Sequence, residues 1–329
     1  MRSFTYTRAG DVAEAVNEVA GNEEARFIAG GTNLLDLMKI DVMHPRHIVD
    51  ITRLALSTVE DTPEGGLRLG ALVTNADTAY HEQVETRYPL LSHAILAGAT
   101  AQLRNKATDG GNLLQRTRCY YFYDKATPCN KREPGSGCAA ITGFNRIHAI
   151  LGESEHCIAT HPSDMCVALA ALGAVVHVTG PNGERGIPFA EFHRLPGDTP
   201  EQDTNLNQDE IITSIELPAQ GFADHYAYVK VRDRASYAFA LVSVAAGLLL
   251  EDGVVKEARI ALGGVAHKPW RKPEAEALLH GQPATAENFR KVAEAYLEGA
   301  KGYGHNTFKI ELAKRAIVRA LQQATENKA

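Results

Sequence analysis

The sequence predicts a protein of the α+β class in two domains, and three observations carry that reading. Short β-like runs alternate with helical patterns over most of the chain. Near residue 222 the character changes to two long β-like runs followed by two charged amphipathic helices. At 329 residues the chain is long enough for more than one well-formed core.

In order, FTYTR reads as a strand, and Asp11 with Glu14 forms a capping box opening the helix DVAEAVNEVA. RFIAGG is a strand running into a glycine turn, NLLDLMKI is helical, and HIVDI and GLRLGALVT are further strands. Thr74 or Asn75 caps the next helix, and LLSHAILAGA is another. An aperiodic stretch holding the cysteines follows; an ordered loop of that length is usually functional. SDMCVALAALGA is a helix starting at Ser163 or Asp164, VVHVTGPNGERGIPF a hairpin turning at Pro181-Asn182-Gly183, and EIITSIELP a strand. GDTPEQDTNLNQ is a polar surface connection. HYAYVKVRDRASYAFALVSVAAGLLL and VVKEARIALGGV are β-like runs flanking the turn Glu251-Asp252-Gly253, and TAENFRKVAEAYLEG and NTFKIELAKRAIVRALQQATEN are the closing helices. There is no internal repeat.

Composition narrows the function classes. A hydrophobic content of 44% and a charged content of 22% are ordinary for a globular protein. A net charge of −6 argues against a general nucleic-acid binder. MRSFTYTRAG holds no apolar signal-peptide core, and MCVALAALGAVV and AFALVSVAAGLLL are too short to span a bilayer, so no membrane insertion is expected. Synthesis and cofactor loading in the cytoplasm are expected, with a periplasmic destination only by co-export on a signal-bearing partner. The cysteines are expected to be reduced rather than a disulfide framework.

Two glycine turns point to an anionic ligand. Ile28-Ala29-Gly30-Gly31-Thr32-Asn33-Leu34 places a glycine pair and small polar residues between a strand and a helix, where backbone N–H groups favour an anion. Thr108-Asp109-Gly110-Gly111-Asn112 repeats the arrangement. Neither is the GxGxxG dinucleotide pattern, but two such turns suit a pyrophosphate spanning two loops.

Cys119, Cys129, Cys138 and Cys157 cluster in a segment rich in basic and aromatic residues. Their spacing, C-x9-C-x8-C-x18-C, contains no CxxC pair, so spacing alone leaves an iron–sulfur cluster, a zinc site and unligated thiols open. Arg116, Arg118, Lys125, Lys131 and Arg132 would offset thiolate charge, and Tyr120, Tyr121, Phe122 and Tyr123 would shield the site from water. Cys166, in an apolar helix, reads as a small buried thiol. His161 reads equally as a helix-entry residue or as a neighbour of a cofactor.

AGGTNLL, QLRNKATDGGNLL, HPSDM, a strand carrying Lys230 and ALGGVAHKPWR occur in an order that resembles the FAD-binding subunits of molybdenum hydroxylases. These include the flavin subunits of carbon monoxide dehydrogenase, xanthine dehydrogenase and aldehyde oxidoreductases. The resemblance spans essentially the whole chain. It implies a vanillyl-alcohol-oxidase-type (PCMH-type) FAD domain in two subdomains over residues 1–221, followed by a C-terminal flavoprotein domain over 222–329. It also implies FAD contacts from Arg26, Phe27, Ile28, Ala29, Gly30, Gly31, Thr32, Asn33 and Leu34. A second phosphate or ribose contact would come from Thr108, Gly111 and Asn112, with further contacts from Ser163, Asp164, Ile212 and Lys230. Asp109 departs from the family, where an apolar residue is usual, and puts the geometry of that loop in question.

Asn112 and Ser163 stand 51 positions apart, with the clustered cysteines between them. This insertion, at about 116–158, resembles that of aldehyde oxidoreductase flavin subunits carrying a [4Fe–4S] cluster, with Cys119, Cys129, Cys138 and Cys157 as ligands. 4-Hydroxybenzoyl-CoA reductase is similar in carrying an added cluster on a different insertion. The implied function is electron transfer within a heterotrimer. Its partners would be a molybdenum-cofactor large subunit and a [2Fe–2S] small subunit, and FAD would pass electrons to an external acceptor. No catalytic acid or base is expected in this chain. Two other readings are a self-contained FAD oxidase or dehydrogenase, and a zinc-stabilised interaction module. ALGGVAHKPWR and the final helices are candidate docking surfaces.

Overall fold

The computed structural model describes residues 1–327. The first subdomain is a small parallel sheet of β1 (Thr5–Arg8), β2 (Ala25–Ile28) and β3 (His47–Asp50), in the order β1-β3-β2. The helix Val12–Val19 buries Ala15, Val16 and Val19 against it. Its cap differs from the expected box in one bond. Asp11 accepts from the Glu14 N–H at 2.8 Å, but Glu14 reaches back to the Gly10 N–H at 2.7 Å.

The second subdomain is an antiparallel sheet of β4 (Val59–Asp61), β5 (Leu67–Gly70), β6 (Val175–Gly180), β7 (Gly183–Pro188) and β8 (Ile211–Leu217), ordered β4-β5-β8-β6-β7. The helices Pro89–Ala97 and Asp164–Leu172 share its core. Every residue of Asp164–Leu172 is buried, as its apolar body after Asp164 requires, because both this core and Ala245 and Ala261 of the last sheet enclose it. In β8 the ladder slips: His177 faces Ser214 and Val178 faces Ile212, so Thr213 bulges out.

The C-terminal unit packs an antiparallel sheet of β9 (Tyr226–Val231), β10 (Val242–Glu251) and β11 (Val254–Gly263) against the helices Ala286–Tyr296 and Phe308–Glu326. Asp252 at φ 50° and Gly253 at φ 77° form the left-handed pair that a tight hairpin needs. The run from His225 to Leu250, read as continuous from its composition, is interrupted. Residues 232–241 leave the sheet, where Arg232, Asp233 and Arg234 break the apolar alternation. ALGGVAHKPWR is not a docking surface as expected: Val265, Ala266 and His267 are buried. The chain there folds back so that Leu262 and Trp270 exchange backbone hydrogen bonds at 2.8 and 2.9 Å, and Trp270 packs on the C-terminal core.

The cysteine segment is irregular apart from one helical turn, Tyr120–Tyr123. It nonetheless has its own core, in which Phe122, Cys119, Cys129, Cys157 and Ile158 pack against Leu37 and Val42 of the first subdomain. Among the described residues no helix is long and apolar enough to cross a membrane.

Candidate functional site

A cavity of about 1240 Å³ opens where the two N-terminal subdomains meet the C-terminal sheet. Every residue named above as a cofactor contact, from Arg26 to Lys230, lines it. The volume exceeds that of most small-ligand pockets and suits an extended dinucleotide.

The first glycine loop forms the cradle. Gly31 takes φ +73°, and a Cβ on Gly30 would stand 2.1 Å from the Lys106 carbonyl oxygen. The 28–34 and 106–112 loops can therefore meet only through a glycine. Among the described residues, the backbone N–H groups of Gly30 to Asn33 have no acceptor, and the buried Nδ2 of Asn33 is also unpartnered. A row of unpaired donors lining a cavity is what a phosphate oxygen would satisfy. Arg26 adds positive charge, although burial and the neighbouring Arg116 lower its pKa.

The second loop is built differently. Its N–H groups are already used: Gly110 bonds to the Ala71 carbonyl at 2.9 Å, Asn112 to Thr108 at 2.8 Å, and Gly111 to Thr108 Oγ1 at 3.3 Å. What it offers is side chains. Asn112 donates to Asn75 Oδ1 (2.7 Å) and accepts from Ser163 Oγ (2.6 Å), which ties this loop to the Ser163 helix cap. Asp109 does not disturb the loop. It lies behind the turn, fully buried, accepting from Asn75 Nδ2 at 2.7 Å and from Thr78 Oγ1. Burial pushes its pKa up to about 7.

At the C-terminal sheet, Lys230 is not solvated. Its side chain is only 5% exposed, and Nζ bonds to Asp164 Oδ2 (2.8 Å) and the Ala97 carbonyl (3.0 Å). Tyr228 donates to the other Asp164 oxygen at 2.6 Å. Asp164 thus clamps the Asp164–Leu172 helix to β9 at the cavity wall.

The four clustered cysteines converge on a second, small cavity that Phe122, Lys131 and His156 also line. All five cysteines are unpaired. Burial pushes Cys119 up to about 12 and Cys157 to about 11, so without a metal both are neutral thiols. Backbone N–H groups of Phe122 and Tyr121 favour the Cys119 thiolate, and that of Ala159 favours the Cys157 thiolate. Among the described residues no three of these sulfurs lie within 4.8 Å of one another. Four thiolates on one tetrahedral zinc, each at about 2.3 Å, would stand only about 3.8 Å apart. As placed here, the four sulfurs are not drawn together into such a set.

Of the five cations expected around the sulfurs, only Lys131 acts there; its charge favours the Cys157 thiolate, and its side chain is 1% exposed. The others are engaged elsewhere. Arg132 holds the Tyr121, Phe122 and Thr127 carbonyls, Lys125 pairs with half-buried Asp41, and Arg118 lies over the Phe239 ring. Arg116 faces the large cavity and pairs with Asp203. Phe122 shields the sulfurs as expected, whereas Tyr120 is exposed.

His161, His193 and Cys166 bring three possible ligand atoms within 4.8 Å. His193 Nε2 donates to the Leu113 carbonyl (2.8 Å) and His161 Nδ1 accepts from Ser163 N–H (3.4 Å). In the neutral ring that leaves the proton on His161 Nε2, which then has no lone pair for a metal. Cys166 is the buried core thiol expected, its pKa raised by burial to about 12.

Residues 2–220 match the family model described as the FAD binding domain in molybdopterin dehydrogenase. The chain belongs to the FAD-binding subunits of the molybdenum hydroxylases. Residues 226–324 of this flavin subunit match the CO dehydrogenase flavoprotein C-terminal domain. It is 52% identical over 325 residues to the aldehyde oxidoreductase FAD-binding subunit PaoB of Escherichia coli, covering 98% of this chain and 99% of that one. It is 29% identical to the glyceraldehyde dehydrogenase medium chain of Sulfolobus acidocaldarius, covering 88% and 85%. A solved carbon monoxide dehydrogenase from Hydrogenophaga pseudoflava superimposes with a TM-score of 0.78 at 26% identity, covering 100% and 99%. The chain is an oxidoreductase subunit.

Several residues of the flavin subunit's sites carry no recognisable sequence motif. Asn75 bridges Asn112 and Asp109, and buried His148 contacts Cys119. Lone polar residues such as these become legible only when tertiary contacts bring distant segments together.

Proposed function

We propose that this chain is the FAD- and [4Fe–4S]-bearing electron-transfer subunit of a heterotrimeric, molybdenum-dependent aldehyde oxidoreductase. Its partners would be a molybdenum-cofactor large subunit and a [2Fe–2S] small subunit. The observation that carries this reading is one wall shared by two sites. The Thr108–Asn112 loop lines the large cavity, the chain leaves it directly into the four-cysteine segment, and that segment returns to the same cavity at His161–Asp164. The likeness to PaoB supports the substrate class. The two matched spans support a domain division at about residues 221 and 222.

The residues present suit FAD. Gly30–Asn33 would hold the pyrophosphate on unpaired N–H groups, with Arg26 adding charge. Thr108, Gly111, Asn112 and Ser163 would pack against the phosphate or ribose, and Ile212, Asp164 and Lys230 would form the wall deeper in the cavity. When bound, FAD exchanges electrons singly or in pairs, and a cluster on Cys119, Cys129, Cys138 and Cys157 exchanges them singly. The chain's part is to exclude water around the sulfurs, to supply N–H donors to them, and to hold the flavin rigidly. No residue of this chain acts on the aldehyde; the external acceptor would take electrons at the flavin cavity.

The test is anaerobic purification of the complex with flavin, iron and acid-labile sulfide analysis, repeated for Cys119→Ser. One flavin with four iron and four sulfide per chain is expected beyond the small subunit's share. Cys119→Ser should lose that increment and keep the flavin. Zinc in place of the iron and sulfide would reject the cluster, and absence of flavin would reject the relay.

A further inference from the structure

His148 lies in the cysteine segment but is no part of its cysteine pattern. Its residue is 1% exposed, and Nε2 stands 3.1 Å from Cys119 Sγ. Among the described residues this is the one side-chain nitrogen within hydrogen-bond distance of a clustered sulfur. The other donors to these sulfurs are backbone N–H groups, whose positions follow from the fold itself.

The chemistry of the contact is one-sided. A metal-bound cysteine sulfur is a thiolate and can only accept, so the ring nitrogen facing it must carry a proton and donate. Accepting that bond disperses charge from the sulfur. The benefit is larger when the cluster carries one more electron, so the donor favours the reduced state.

The fold fixes the backbone that carries this ring from the C-terminal unit. Lys309, fully buried at the start of the helix Phe308–Glu326, donates to the His148 carbonyl at 2.8 Å and to the Gly264 carbonyl. Asn306 Nδ2 bonds to the next carbonyl, Ala149, at 2.8 Å. Asn145 Nδ2 bonds to the Tyr303 carbonyl at 2.7 Å, and Asn145 Oδ1 accepts from the His305 N–H at 3.1 Å. Residues 145–149 are thereby stitched to residues 303–309, and the His148 ring lies beside those of Tyr120 and Tyr121. A buried lysine and two buried asparagines are a large polar investment for holding one loop.

We propose that His148 is a positioning residue of the cysteine centre. It donates Nε2–H to the Cys119 thiolate, raises the reduction potential of the cluster, and is held in register by Lys309 and Asn306 of the C-terminal unit. The proposal rests on the cluster reading above and adds a residue that the cysteine pattern does not contain.

The experiment is an anaerobic redox titration of the intact complex followed by electron paramagnetic resonance, with iron, sulfide and flavin measured on each preparation. His148→Phe keeps the ring's bulk and removes the donor. Its cluster should load fully and titrate at a more negative potential, by a factor of about ten in the one-electron equilibrium, or about 59 mV. The flavin potential should not move. His148→Gln, whose amide N–H reaches the same place, should return the cluster toward the wild-type value, which a merely space-filling role would not produce. A fully loaded His148→Phe complex titrating at the wild-type potential overturns the proposal. If His148→Phe does not load, the reduced wild-type complex with isotope-labelled histidine decides: a weak histidine nitrogen coupling in electron–nuclear double resonance supports the bond, and its absence overturns it. Wild-type protein without the iron and sulfide increment removes the cluster reading itself. That is a separate failure, visible in the metal analysis before any titration.

Discussion

Gly30→Ala tests how the flavin cavity is closed. A Cβ at this position would lie 2.1 Å from the Lys106 carbonyl oxygen and 2.9 Å from its carbon, both backbone atoms that cannot rotate away. A carbon–oxygen contact relaxes at about 3.3 Å, so the two glycine-bearing loops would have to separate by roughly 1.2 Å. Overpacking of this kind costs about 1–3 kcal/mol. The cost must appear in one of two places. If the loops stay together, the free protein carries the strain and its Tm falls. If they spread, the cradle opens, and FAD must close it on binding, which raises the flavin dissociation constant by about 5- to 150-fold. Flavin-to-protein ratio after dialysis, flavin titration of the stripped protein, and thermal unfolding with and without FAD together measure both. Gly10→Ala serves as the control, since its added Cβ meets only the end of the Glu14 side chain, at 3.2 Å, which can give way while keeping its bond to the residue 10 N–H. A Gly30→Ala protein with wild-type Tm and wild-type flavin affinity would refute the argument that these loops touch through a glycine.

Three further outcomes are expected. Lys230→Met leaves the Asp164 carboxylate buried without its cation and should cost about 3–5 kcal/mol, read from urea midpoints; Asp164→Asn in the same background should recover part of that loss, because the orphan charge is then gone. Asp109 has its pKa raised by burial to about 7, so the stability its neutral form contributes is present below about pH 4 and is lost as pH rises through 7. Asp109→Asn should therefore gain on the wild type as Tm is measured from pH 5 to pH 8, by up to about 1.4 kcal/mol per unit, and parallel curves would contradict this. For Asp203 burial alone would raise the pKa, but Lys131 and Arg116 hold it well below the usual carboxylate range. Its contribution is present above about pH 4 and lost on further acidification, so the stability gap between wild type and Asp203→Asn should be widest at neutral pH and narrow in acid.

Much of the local structure was legible because local physics decides it. Asp11, Thr74 and Ser163 cap their helices through their own side chains, bonding to N–H groups three residues ahead. Asp252-Gly253 turns its hairpin because the two positive φ values demand such residues. The glycine loops were legible for the same reason, although the need for glycine at position 30 comes from Lys106 on the other loop. What misled was polarity read without context. Lys230 could pass for a solvated strand lysine, and nothing in the local sequence marks Lys131 or Lys309 as interior; each is buried, because an acceptor from a distant segment meets it. The basic residues between 116 and 132 look like a charge cloud for the sulfurs, but all are bound elsewhere, and only the charge of Lys131, itself paired with Asp203, also reaches a sulfur.

By itself, the sequence determined the elements, the two glycine turns, the cysteine set and its placement between two halves of one cavity wall. Each of these depends on residue type and short-range order along the chain. Tertiary structure alone decided that the N–H groups of Asp109 to Asn112 in the second glycine loop are already bonded and that Asp164 clamps a helix to Lys230. It also decided that ALGGVAHKPWR is interior and that His148 faces Cys119 under the hold of a C-terminal lysine. Those outcomes depend on which distant groups are brought together in a water-poor interior. There a polar atom must find a partner, and sequence spacing does not say which one it will be.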